Sequence, residues 1–246
     1  RGFNIYYPDQ NKVHLGHAPI SYDWTIRGKA SGVYCIGVSA FGGSKFCDFG
    51  SVYECANYYF ANSGGAVFEK GFYGGGNPSN GWVENSRFDI NMLLLINPSF
   101  PGSGYTANPA AANQYLSNLL NRTTATTGLH AFIFGHNASL QALNLTARGA
   151  RQGVEFVSQT GLVTNGKVIG YHAENCGYGI TVNSADKVEV INMSFISCPI
   201  TGYEPAIIHT PASSAGEVVI IGCNSGGTGL GACADISGAK ICVQQL

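Results

Sequence analysis

The chain is short of charge. Only 11% of its 246 residues are Asp, Glu, Lys or Arg, against about 25% in ordinary soluble proteins. The net charge is −1 and no basic run occurs, so nothing here argues for nucleic acid as a partner. No stretch nears the roughly 18 consecutive apolar residues of a membrane-spanning helix. The eight cysteines include no CxxC pair, which argues against a zinc site. HExxH and Ser-His-Asp spacings are missing as well. The first residues, RGFNIYYPDQ, carry neither an initiator Met nor a signal-peptide pattern, as expected of a processed chain or a fragment.

What remains is a β-rich composition. There are 34 Gly, 13 Tyr and 13 Phe, and 45% of residues are hydrophobic. That is too apolar for disorder. The low charge and the abundant Gly and Asn suit a large β-architecture.

The stretch GYHAENCGYGITVN, residues 170–183, shows how that architecture is organised. Its turn-like start recurs in NSRF at Asn85, NLTA at Asn144, NMSF at Asn192 and GCNS at Gly222. A short β-like run precedes each start: WVE, QAL, KVI, VEVI and VVII. Asn and Gly tolerate the left-handed conformation of a sharp bend. The last three spacings are 26, 22 and 30 residues; the first is 59 and contains residues 97–128. That segment holds ANPAAANQYLSNLLNR, the one helical pattern, with Pro109 near its start.

A second phase repeats too. Phe132-Ile133-Phe134, Val154-Glu155-Phe156, Ile180-Thr181-Val182 and Ala206-Ile207-Ile208 are expected at one place in successive laps. Repeats of this period stack as coils that bury their apolar faces against one another. The predicted fold is all-β: a right-handed, single-stranded parallel β-helix over residues 1–246, one domain, with a helical insertion at 97–128. A β-sandwich or jelly roll would also give many short strands. It would not return Asn or Gly at a fixed phase.

In this pattern the chain resembles the pectin lyase-like β-helix superfamily. Its opening, GFNIYYPDQ followed by SYDWTIRG, is similar to the early coils of bacterial carbohydrate-active members. The resemblance implies an extracellular protein, secreted or at the cell surface, that processes a polysaccharide. The helix that caps the first coil in that superfamily has no counterpart here. Either upstream residues or another chain is therefore expected over that end, and homo-oligomers through uncapped ends follow from the second option.

The repeat decides which side chains meet. After each bend the second and fourth residues should point outward and the third inward. The third positions are Phe88, Ala147, Ala173 and Phe195. The outward positions gather Arg87, Asp89, Arg148, His172 and Glu174 on three adjacent laps. Asp89 and Glu174 fall two rungs apart, or about 9.6 Å. Inverting glycosidases hold two carboxyl groups roughly 6.5–9.5 Å apart. Asp89 and Glu174 are thus the candidate catalytic pair, with Arg87, Arg148 and His172 as substrate-binding candidates. The same column also reads as a surface salt-bridge ladder, each pair contributing about 0–1 kcal/mol. A calcium-dependent lyase with Arg148 as base is a further option, although two carboxylates are few for a calcium cage. No metal or other cofactor is expected for a hydrolase.

Trp82, beside Glu84 in GWVENSRFD, is either a sugar-stacking platform or edge packing. Asp23 and Trp24 form a similar pair. His14, His17, His130, His136 and His209 read as scattered. Cys176 and Cys198 share a phase, as a disulfide or as two buried thiols. Of four sequons, Asn144 and Asn192 should be inward-turned ladder residues, leaving Asn121 as the accessible one. The expectation is a polysaccharide-processing β-helix. Glycoside hydrolysis, a non-catalytic fibre or adhesin module, and a lyase remain as three readings.

Overall fold

The computed structural model describes residues 57–66, 70–76, 80–89, 129–158, 164–197, 206–212 and 216–227, together with strands at 4–7, 12–15, 24–28, 32–36, 39–41, 50–53, 232–236 and 240–244. The expected helix at 97–128 lies outside these residues. So do Asn121, Asp23, His17, Cys47, Cys55 and Cys198, and the side chains of His14, Trp24, Cys35, Cys233 and Cys242.

The chain is a parallel β-solenoid. Three parallel sheets run its length, of nine, nine and seven strands. Each sheet takes every third strand or so in chain order, as a coil requires. The first sheet includes Lys70–Gly75, His130–Phe134, Gln152–Phe156, Tyr178–Val182 and Ala206–Thr210. The second includes Asn57–Ala61, Asn80–Glu84, Ser139–Leu143, Asn165–Ile169 and Lys187–Ile191. The third, short-stranded sheet includes Gly64–Ala66, Arg87–Asp89, Thr146–Arg148, His172–Glu174 and Ser194–Ser197.

The corner between the second and third sheets sits where the repeat places it. Asn85, Asn144, Gly170, Asn192 and Gly222 all adopt positive φ, between 47° and 68°. Asn62, at φ 49°, is one more corner of the same kind. Its lap, ANSGG, has no apolar third residue to advertise it. Asn144 Nδ2 donates to Asn85 Oδ1 at 3.2 Å, one step of an asparagine ladder. The ladder faces solvent: Asn144 and Asn192 are exposed, not turned inward. Gly170 and Gly222 take equivalent corners, where the positive φ suits glycine and a Cβ would stand 2.6 Å and 2.9 Å from the side-chain ends of Asn144 and Asn192.

Inside, rings stack up the axis. Phe60 lies on Phe72 with centroids 4.1 Å apart, and Phe88 meets Phe132 edge-on at 5.0 Å. Phe88, Ala147, Ala173 and Phe195 are wholly buried, as the alternation requires. One register differs from expectation. Ile180 pairs with Ile208, not Ala206, which pairs with Tyr178. A slip of two residues preserves the in–out alternation, so the apolar pattern alone is blind to it.

Cys176 is a free thiol, wholly buried among core residues. Of the two alternatives for its pairing with Cys198, Cys176 therefore follows the buried-thiol one. Burial pushes its pKa up to about 12 against weaker lowering by hydrogen bonds. Cys223 is free too.

Candidate functional site

The third sheet brings together the residues the sequence singled out. Asp89, Arg148 and Glu174 pair in register, one per lap, so the two carboxylates stand two rungs apart with the guanidinium between them. Arg148 Nη2 donates to Glu174 Oε1 at 2.5 Å, and its Nη1 lies 3.5 Å from Asp89 Oδ2. Arg87 adds an Nε bond of 3.1 Å to Asp89 Oδ2 and a second contact through Nη2. His172 Nε2 lies 3.4 Å from Glu174 Oε2. The five residues form one hydrogen-bonded, ion-paired strip.

Their burial is uneven. Arg87 is exposed, and Arg148, His172 and Glu174 are half-buried. Asp89 is 1% exposed despite its outward phase. For Glu174, burial by itself would raise the pKa, but the bond and charge of Arg148, helped by His172, outweigh it and hold the carboxyl below its ordinary range. Burial likewise pulls Arg148 down, and its two carboxylate partners more than restore it. A general acid needs a carboxyl that keeps its proton near the working pH. The surroundings of Glu174 favour the ionised form, which suits a base or an ion-pair partner.

A pH prediction follows. Because folding lowers the Glu174 pKa, its contribution is complete above the unfolded carboxyl pKa of about 4.3. It is lost as pH falls through the folded value. The thermal midpoint is expected to drop on acidification below about pH 4.5, and Glu174→Gln to flatten that limb by about 0.5–1 kcal/mol. Midpoints measured from pH 3 to pH 7 check it; parallel limbs would refute it.

Trp82 and Glu84 belong to a different face. They lie on the second sheet, where Tyr59, Trp82, Gln141, Lys167 and Glu189 follow one another in register on successive laps. Trp82 is 39% exposed. Its Nε1 donates to Glu84 Oε2 at 2.9 Å, and Tyr59 donates its hydroxyl to Glu84 Oε1. The Tyr59 bond and then the Trp82 bond lower the Glu84 pKa. Glu84 thus fixes the indole in place. The column continues into a surface cavity lined in part by Gln141, Asn165, Lys167, Lys187 and Glu189. Glu189 bridges the two lysines, at 2.9 Å from Lys167 and 3.7 Å from Lys187.

Residues that the sequence reading passed over, and His130 and His209, which it took as scattered, lie together on the first sheet. His130 Nδ1 meets Glu155 Oε2 at 2.6 Å, and Asn183 Nδ2 donates to Glu155 Oε1 at 2.5 Å. Tyr178 and His209 stack with centroids 4.1 Å apart. The usable signal was Glu155 itself, an acid between two core residues in a repeating triplet. Asn137, by contrast, is a structural residue, wholly buried and donating to the Gly74 and Gly135 carbonyls. Among the described residues no group of three or more His, Cys, Asp or Glu comes together to hold a metal ion.

Comparisons with protein-family models, with curated proteins and with solved structures find no match to this chain.

Proposed function

We propose that this solenoid engages an extended polysaccharide along the outer face of its second sheet, as an extracellular binding module of the adhesin or tail-spike kind. One observation carries the reading. Trp82 presents an exposed, positioned indole between Tyr59 and Gln141 in a column of side chains that pair in register. Indole faces suit the apolar face of a pyranose. The amides of Gln141 and Asn165 and the charges of Lys167, Lys187 and Glu189 offer partners for sugar hydroxyls beyond it. The rungs repeat every 4.8 Å or so, which spaces these side chains evenly along the column. The β-solenoid architecture and the resemblance to pectin lyase-like carbohydrate-active proteins are consistent with this, although fold alone does not assign function.

Trp82→Ala is expected to weaken binding at least about tenfold, or roughly 1.4 kcal/mol, in a panel of neutral and acidic polysaccharides measured by affinity electrophoresis. The thermal midpoint should hold, since the indole is exposed. A variant that binds like the parent chain overturns the proposal.

The two-rung spacing of Asp89 and Glu174 supports a second reading, glycoside hydrolysis at the third sheet. The same panel tests it through the release of reducing ends. Release that survives Glu174→Gln unchanged would exclude Glu174 as acid, base or nucleophile.

A further inference from the structure

The surroundings of Trp82 are poor in charge, and what charge they hold is negative. Outward positions alternate along a strand. The indole's neighbours are therefore Asn80 and Glu84 on its own strand, and Tyr59 and Gln141 on the laps either side. The diagonal places fall to Asn57, Ala61, Ser139 and Leu143, none of them charged. Glu84 is thus the one formal charge among these positions. Both its oxygens are taken by neutral donors: Oε1 by the Tyr59 hydroxyl, Oε2 by Trp82 Nε1 at 2.9 Å. Among the described residues no cation pairs with it. The Tyr59 bond and then the Trp82 bond favour its ionised form. Farther along the face, Glu189 already holds both Lys167 and Lys187. Glu217 pairs in register with Lys187. On the described strands of this sheet, Glu84, Glu189 and Glu217 stand against Lys167 and Lys187, a net charge of −1. The exposed Asp186 beside Lys187 adds one more negative charge.

We infer that the second sheet takes neutral polysaccharide chains and discriminates against acidic ones, with Glu84 as the residue that sets the difference. The inference rests on the glycan reading above and names the class of chain. A uronate or sulfated sugar stacked on the indole brings its anion within a ring's width of the Glu84 carboxylate. Like charges about 6 Å apart in water weaken binding about threefold. A neutral ring meets no such repulsion. Its hydroxyls face the uncharged amides and hydroxyl of Asn80, Gln141 and Ser139 on the adjoining positions. The lysines do not reverse this balance, because their charge is matched by Glu189 and Glu217. Glu84 therefore has two effects at one place: its bonds hold the indole, and its charge turns acidic sugars away.

The test uses pairs of polymers that share a backbone and differ in charge: hydroxyethyl against carboxymethyl cellulose, and methyl-esterified against unesterified polygalacturonate. Affinities are measured by calorimetry at about 0.01 M and about 1 M salt, where charges are felt over about 30 Å and about 3 Å. In a pair that binds, the neutral member is expected to bind at least about threefold tighter at low salt. The gap should close at high salt. Glu84→Gln keeps the size of the side chain and removes its charge, so the low-salt ratio between the two members should fall towards one whatever the absolute affinity. If the glutamine no longer holds the indole and binding is lost, the salt dependence of the parent chain carries the test alone. Equal or tighter binding of the acidic member, a preference that high salt leaves intact, or a ratio unchanged in Glu84→Gln would each overturn the selectivity and leave the glycan reading standing. No binding across these pairs and the wider panel, or binding that Trp82→Ala leaves unchanged, overturns the glycan reading and the selectivity with it.

Discussion

Replacing Gly153 by alanine is expected to cost about 3 kcal/mol of stability, a large effect for one added methyl group. Gly153 and Val154 both face the core, a break in the strict alternation of the strand. The space a Cβ would need is taken by Tyr171, a fully buried ring from the next turn of the coil. A Cβ on Gly153 would overlap Tyr171 Oη and stand 2.7 Å from the Gly179 carbonyl oxygen. That carbonyl accepts the Tyr171 hydroxyl at 3.1 Å. The methyl group therefore displaces a ring with no room to move and also breaks its buried hydrogen bond, leaving polar groups unsatisfied. Denaturant midpoints of Gly153→Ala, Tyr171→Phe and the double variant check the argument. Tyr171→Phe removes the overlapping atom, so the double variant should lose less than the two single costs together. Simple additivity would show that the ring and the glycine do not share this space.

The same glycine shows what the amino-acid order reveals and what it hides. Corners were legible because left-handed backbone selects Asn and Gly, and these returned at Asn85, Asn144, Gly170, Asn192 and Gly222. Outward and inward positions on the third sheet were legible because strands have period two, which separated Arg148 and Glu174 from Ala147 and Ala173. The first sheet was harder. Its strands turn two consecutive residues inward at Gly153 and Val154, so simple alternation misplaces what flanks them. His130 and Glu155 are one lap apart and meet diagonally between two columns. A search for partners directly above and below does not find such a pair. Periodicity also fixes a direction without saying how much solvent lies there, which is why Asp89 reads as a surface charge and is nearly buried.

That burial decides how much the charged strip matters. Arg148→Met is expected to destabilise the chain by about 3 kcal/mol, while Glu174→Gln costs less than about 1 kcal/mol. Both changes break the Arg148–Glu174 pair, so the difference measures what Arg148 does for Asp89. Glu174 is partly open to solvent, where water replaces a lost partner cheaply. Asp89 is 1% exposed, and a second guanidinium among the described residues, that of Arg87, has a side chain 48% exposed and therefore screened by solvent. Without Arg148 the Asp89 charge stays buried with a weakened counterion, the situation in which breaking a pair costs far more than the pair contributes over apolar replacements. Methionine keeps the bulk of the arginine stem, so lost packing does not account for the expected change. The effect should also resist salt: screening at 1 M acts within about 3 Å in solution, yet reaches buried charges poorly. Urea midpoints at low and high salt, for both variants, provide the measurement. Equal and small costs would mean that Asp89 is solvated and that the strip is an ordinary surface ladder.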